Sequence, residues 1–529
     1  MSACVETRSF YLCLVNQSPP ASQNLIFKML RDAQSAWERQ NYQHSFEILE
    51  RAARLSPNDP VIWLELGNVH GRRYDFAAAE KYFDKAIRVS GWRVEAFLAA
   101  GLHCANLRND AMAERYLSRA LDRENASGVA LMRLTRIYEH QHRPEKVAEL
   151  IARLSRARTA PAAALYAQAV LDRLAGHAEA AEKSLRLFLS QSGVDVESRA
   201  RGWYELGRTL DVQRRYDEAM TAFLEAKKLL RPLAGREIEQ LQRIQAKLVE
   251  TQTMISADAL HRWVDFGVQL QPARRFALMC GHPRSGTTLL EQMLDSHDDI
   301  ISLEESLIFT NEVHRPLHRN FSEEASALTV LEAATAEHLG PLRENYFRCA
   351  EKILGEAVSG RLLLDKNPAL NPAIPAVVRV FPEARFLVAI RDPRDVCLSC
   401  FMQPLDINPI SSAFLGLEST VTQYASVMRF WHAMQPRLKN PAIEIRYEEL
   451  VNDLESVARR VLDFLGVEWD ERVLRFHEHA RNKTVRSPTA TDVTRPIFKT
   501  AVGRWRNYQK YLEPYLDKLE PLMKAFGYE

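Results

Sequence analysis

The feature that most narrows the fold is a 34-residue period in the first half of the chain. Trp63, Leu66, Gly67, Ala79, Phe83 and Ala86 are followed, each 34 positions later, by Phe97, Ala100, Gly101, Ala113, Leu117 and Ala120. The same internal spacing returns at Trp203, Leu206, Gly207, Ala219, Phe223 and Ala226, a weaker copy places Ala33, Leu49 and Ala52 in register, and degenerate copies fill 129–190. Large and small residues alternate at helical spacing, so each copy predicts two antiparallel helices that close-pack, with Gly or Ala where backbones meet. One such pair cannot bury its apolar face alone. Successive pairs therefore stack into an all-α solenoid with a concave surface.

This is the pattern of tetratricopeptide repeats, which the chain resembles from residue 25 onward. The resemblance implies a surface for a protein or peptide partner, although an array that only supports or oligomerises the rest of the chain has the same period. A charged helical stretch at 235–254 follows the last copy as its cap or as a connector.

From Arg275 the grammar changes. Short apolar runs at 276–280, 362–364, 385–390 and 442–446 read as strands, with amphipathic segments between them, notably 449–465. Strands alternating with helices predict an α/β layer with a central parallel sheet, whose ligands bind outside the carboxyl ends of the strands. The expected division is an N-terminal segment at 1–24, a repeat array at 25–255, a connector at 256–272 and an α/β domain at 273–529.

Composition excludes several classes of function. Lys and Arg total 70 against 68 Asp and Glu, which gives no case for nucleic acid or an anionic membrane as the main partner. The apolar run at 10–15 is too short for a secretory core and follows a single basic residue, Arg8. Nothing approaches the roughly 18 apolar residues of a membrane span. Seven scattered cysteines fit reduced thiols, so a cytoplasmic protein is expected.

The segment after the first predicted strand reads Gly281-His282-Pro283-Arg284-Ser285-Gly286-Thr287-Thr288 and leads into a helical pattern. A strand, a glycine-bounded turn and a helix N-terminus form an anion cradle, because backbone N–H groups and the helix dipole converge there. The spacing equals that of a nucleotide P-loop, with Thr287 in place of the lysine. A kinase needs that lysine on the transferred phosphoryl group and a hydroxyl on Mg²⁺. A sulfuryl group carries less charge, so this P-loop-like turn, with Arg284 as its cation, fits sulfuryl transfer better. No metal is expected.

Pro283-Arg284-Ser285-Gly286-Thr287-Thr288-Leu289, then Leu294-Asp295-Ser296-His297 and the pair Glu304-Glu305, closely resemble the tyrosylprotein sulfotransferases and the bacterial proteins that join tetratricopeptide repeats to a sulfotransferase domain. The resemblance covers about 273–528 and implies 3′-phosphoadenylyl sulfate as donor. It assigns Arg284, Ser285, Gly286, Thr287 and Thr288 to the donor's phosphosulfate end. Arg391 and Ser399 are assigned to its 3′-phosphate, Tyr447 to the adenine region, Thr489 to a loop over 489–498 folded over the nucleotide, and Arg504, which follows that loop, to the phosphates. Arg391 and Ser399 also make a sensible phosphate pair on their own chemistry. Gln403 stands where the tyrosylprotein enzymes carry another arginine, and Lys499 is a further candidate cation.

By the same resemblance Glu305 is the base that deprotonates an acceptor hydroxyl, and Lys366 offsets charge on the leaving phosphate. Neighbours on a regular segment face differently, so only one of Glu304 and Glu305 is expected in the site. Cys397-x-x-Cys400 lacks a second ligand pair and reads as packing thiols. His282 is left out of the catalytic set. The acceptor stays open among a peptide tyrosine, a carbohydrate, a lipid and a small phenol. A P-loop kinase, and a repeat-based binding module with an inactive sulfotransferase-like domain, are the alternatives.

Overall fold

A computed structural model describes residues 21–528 apart from 40, 124–127, 158–160, 323, 359, 483–492, 495–496 and 498–499. The chain divides into two compact units, Met1–Leu230 with Asp406–Asn408, and Arg231–Leu405 with Pro409–Glu529.

The first unit is built of helix pairs from Ala21–Glu38 to Tyr216–Leu230. Local chemistry starts several of these helices: the side chains of Asn41, Asp59, Asp75, Asn109 and Asp195 accept backbone N–H groups of the first turns, and Pro60 occupies a first-turn position where no N–H is needed. The repeat glycines are packing positions. A Cβ on Gly67, Gly101 or Gly207 would meet Phe83 at 2.5 Å, Leu117 at 2.6 Å or Phe223 at 2.6 Å, the same partner position in each copy. Burying each of these side chains stabilises the unit by roughly 1.5–3 kcal/mol.

The turns hold the period even where the sequence loses it. Tyr74, Arg108 and His142 have positive φ, and Gly176 continues the series with φ +83°. At each, the next residue's N–H returns to the preceding helix, from Asp75 to His70, Asn109 to Cys104, Arg143 to Tyr138 and His177 to Asp172. The degenerate copies at 129–190 are therefore in register.

The second unit carries five parallel strands, β1 (Phe276–Gly281), β2 (Ile300–Glu304), β3 (Leu362–Lys366), β4 (Arg385–Ile390) and β5 (Ala442–Arg446), in the order β2-β3-β1-β4-β5. β2 had no counterpart among the expected strands. The chain runs from β1 out to β2, returns to β3 beside β1, then crosses to β4 on the other side. The switch lies at β1, where such sheets open a crevice at the strands' carboxyl ends.

Met279, Leu364, Leu387 and Ile445 form one layer of the core with Leu290, Met293 and Leu294 of the helix after β1. The helix expected over 449–465 is two, Tyr447–Asn452 and Leu454–Leu465, separated by Asp453, which caps the second through Ser456 N–H. The charged helix Gly235–Met254, read from sequence as a cap or connector of the repeats, packs within this second unit. Gln245 bonds Gln423 at 2.8 Å, and Arg437 reaches the carbonyls of Gln252 and Ile255 at 2.7 Å. Helix Ala257–Asp265 follows with Leu260 and Trp263 buried. The division thus falls at Leu230, ahead of the connector expected at 256–272. Among the described residues no helix is long and apolar enough to cross a membrane.

Candidate active site

Every strand of the sheet delivers a functional candidate at its carboxyl end. β1 ends at Gly281 with φ +133°, where a Cβ would stand 2.5 Å from the Ala389 carbonyl oxygen of β4. The buried Asn371 fixes this glycine from both sides, accepting its N–H at 3.2 Å and donating to its carbonyl at 2.9 Å. The turn closes at Gly286, φ +95°, which caps helix Thr287–Asp295. A Cβ there would lie 2.5 Å from Tyr447 Cδ2, so the 281–288 loop touches the residue that follows β5. Within this segment Ser285, Thr287 and Thr288 are buried, and Arg284 adopts φ +73°.

Arg284 joins the loop to β4. Its Nε donates to Ser399 Oγ at 3.0 Å, and its carbonyl accepts from Arg391 Nη1 at 3.3 Å. Sequence reasoning had paired Ser399 with Arg391. In the fold the Ser399 hydroxyl faces Arg284, while the Arg391 guanidinium lies 4.7 Å from the Tyr447 ring centre and donates to the Ala501 carbonyl at 2.5 Å. The two groups of candidate residues are thus joined through Arg284.

Asp395, overlooked in the sequence although it ends the run Arg391-Asp392-Pro393-Arg394-Asp395, accepts N–H groups from Gly503 at 2.7 Å and Trp505 at 2.8 Å. It pins the turn carrying Arg504 beside helix Pro393–Phe401, and the Arg394 guanidinium stacks 4.0 Å from the Trp505 ring centre. Burial raises the Asp395 carboxyl, against the lowering pull of Arg391 and the two N–H donors. Thr489 and Lys499 lie outside the described residues.

Lys366, the last residue of β3, is wholly buried. Its Nζ lies 3.0 Å from Glu305, 3.2 Å from Glu291 and 3.5 Å from Glu304. Burial alone would lower the lysine; the carboxylates of Glu291, Glu305 and Glu304 outweigh it and hold Lys366 above its usual value, as a cation. Both adjacent glutamates reach it, where one was expected. Glu304 pairs with Lys366 across β2 and β3, and Glu305 leaves the strand at φ +45°, with its N–H on the Lys366 carbonyl at 2.7 Å. That left-handed residue breaks the alternation which would have turned the second carboxylate away. Glu291 was missed; its signal was one helical turn of spacing from Thr287 and Thr288, which puts an acidic residue beneath an anion loop.

The flanking groups are structural. Asp365 accepts the Tyr346 hydroxyl at 2.6 Å, and burial pushes its carboxyl up to about 7. Burial brings His282 down to about 4, and its ring packs on Tyr424 and Phe414. Cys397 and Cys400 are buried on one helix, and among the described residues no group of three His, Cys, Asp or Glu is placed to hold a metal.

Parts of both units match known protein families. Residues 277–471 match the sulfotransferase family, and residues 200–229 match a tetratricopeptide repeat. An uncharacterized protein of Aquifex aeolicus is 23% identical over 64% of this chain and 43% of its own length. The protein-tyrosine sulfotransferase of Drosophila melanogaster is 28% identical over 42% of this chain and 46% of its own. The chain thus spans about half the length of these curated relatives. Among solved structures, the sulfotransferase domain of the Synechococcus PCC 7002 olefin synthase is 22% identical, with a TM-score of 0.36 over 49% of this chain and 97% of that one.

Proposed function

We propose that the protein is a sulfotransferase that moves a sulfuryl group from 3′-phosphoadenylyl sulfate to an acceptor hydroxyl. The observation that carries this reading is the meeting, at one switch point, of a phosphate loop without its lysine and the buried pair Lys366–Glu305 at 3.0 Å. The loop supplies anion-binding N–H groups, and its cations are arginines. Gly286, Tyr447, Arg391 and Ser399 are joined at that loop, as a nucleotide with a second phosphate requires.

Glu305 takes the proton of the acceptor hydroxyl as its oxygen bonds to sulfur. The bond from sulfur to the bridging oxygen breaks, and the electron pair stays on the phosphate of adenosine 3′,5′-bisphosphate. Lys366 offsets that developing charge from a site that water does not reach. Glu305, the carboxylate with most exposure at 29%, is the one an acceptor can approach. A peptide tyrosine is a favoured acceptor, because the named relatives are protein-tyrosine sulfotransferases. Buried thiols outside any disulfide at Cys104, Cys280, Cys349, Cys397 and Cys400 fit a cytoplasmic setting.

The test uses ³⁵S-labelled donor with a tyrosine peptide, 2-naphthol and cell lysate as acceptors. Wild type is expected to label at least one of them without Mg²⁺. Glu305→Gln is expected to lower turnover by about 10²–10⁴-fold, while calorimetry shows adenosine 3′,5′-bisphosphate binding retained. Labelling by wild type that survives in Glu305→Gln refutes the assignment of the base, and ATP turnover in place of sulfate transfer refutes the function.

A further inference from the structure

Lys366 has more carboxylate around it than one ion pair requires, and the three partners differ in kind. Glu305 is 29% exposed, Glu304 10% and Glu291 0%. Glu291 belongs to the helix that opens at the phosphate loop, and its second oxygen accepts the Ser302 hydroxyl at 3.0 Å. Ser302 in turn donates its backbone N–H to Asp295 at 2.8 Å, so the carboxylate is anchored on a strand and a helix together. Asp365, the remaining charged neighbour, points to the opposite face of β3 and is held by Tyr346.

Glu305 stands on a left-handed backbone at the mouth of the cluster. A base there must turn from the lysine to the acceptor, and once protonated it no longer balances the ammonium. A wholly buried cation needs a partner that stays. We propose that Glu291 is the fixed counter-ion of Lys366, a positioning residue that keeps the ammonium in place while Glu305 exchanges between lysine and acceptor. This rests on the reading of Glu305 and Lys366 given above. It also ties the lysine to the helix that carries the phosphate loop.

The test separates the two claims. Denaturant unfolding of the full chain at pH 8 reads the pairing. Glu291→Gln keeps the volume and removes the charge, and is expected to lower the midpoint of the C-terminal transition when Lys366 is present and to raise it in a Lys366→Met chain, a reversal of sign that loss of the Ser302 bond alone would not give. Glu304→Gln is expected to shift either midpoint less, and Glu291→Asp to restore the wild-type midpoint part of the way. In labelled-donor turnover Glu291→Gln is expected to lower kcat with the donor KM retained. A shift in the same direction in both backgrounds overturns the proposal. If Glu291→Gln does not fold with Lys366 present, its rescue by Lys366→Met supports the counter-ion, and a failure to rescue sinks it. A wild-type chain that transfers no sulfate refutes the function, while the unfolding midpoints still judge Glu291.

Discussion

Replacing Lys366 with methionine removes one positive charge from a pocket that holds three carboxylates. The nearest of these, Glu305, is 3.0 Å from Nζ, a separation worth about 5 kcal/mol at an effective dielectric near 20 before desolvation is subtracted. Removing one partner of a buried pair costs about 3–5 kcal/mol, because the other charge is left uncompensated. For a domain of this size each kcal/mol moves the melting point by about 2–4 °C, so Lys366→Met is expected to lower the calorimetric transition of the C-terminal unit by about 6 °C or more at pH 8.

The pH dependence follows from the carboxylates left behind. Without the ammonium, burial and mutual repulsion raise their folded pKa values above the unfolded ones. A raised carboxyl costs stability as pH climbs from the unfolded value, about 4.3, through the folded one. The deficit is therefore largest at pH 8 and shrinks toward pH 5. Adding Glu291→Gln to Lys366→Met removes two opposed charges together and is expected to recover part of the loss. A Lys366→Met chain that melts with wild type at pH 8, or a deficit that is constant between pH 5 and 8, refutes the ion cluster.

Gly286→Ala sets a Cβ 2.5 Å from the Tyr447 ring on a backbone with φ +95°. The backbone alone costs about 1–2 kcal/mol, so adenosine 3′,5′-bisphosphate affinity is expected to fall about tenfold by calorimetry; undiminished binding would place the nucleotide elsewhere. In the repeats, burial would raise Glu139, but Arg208 and Arg173 outweigh it and hold the carboxyl at about 2. A depressed carboxyl stabilises above its unfolded pKa and loses that contribution as pH falls through about 2. Glu139→Gln is accordingly expected to lower the repeat transition at pH 7 and to converge with wild type as pH falls from 4 to 2.

Much of this was legible because its causes are local. Gly67, Gly101 and Gly207 announce helix pairs through one repeated contact, and the strand, glycine-bounded turn and helix over 276–295 are written in consecutive residues. What escaped was set by tertiary partners. β2 is five residues long, and Ile300-Ile301-Ser302-Leu303 shows no clear alternation because Ser302, on a buried strand, is satisfied by Glu291 and Asp295. The bond from Arg284 to Ser399 was not foreseen, since spacing along a helix cannot say which of two guanidiniums will turn to a hydroxyl. Glu291 looked like any acidic residue on an amphipathic helix until β3 brought a lysine beneath it.

The left-handed residues show how such cases can be told apart. Tyr74, Arg108 and His142 have positive φ at a constant interval, and each closes a helix by a returned backbone bond; they are part of the repeat and carry no chemistry. Arg284 and Glu305 have positive φ once each, next to no helix end of that kind. Strain of about 1–3 kcal/mol persists only where surroundings enforce it. For Arg284 the enforcement is the bond from its side chain to Ser399 and that from Arg391 to its carbonyl; for Glu305 it is the N–H bond to Lys366. In both, the backbone is bent to aim a charged side chain at the same crevice. A strained non-glycine residue that recurs with the architecture is a turn, whereas one that occurs singly and is held by other candidate site residues is where we propose that stability has been given up for chemistry.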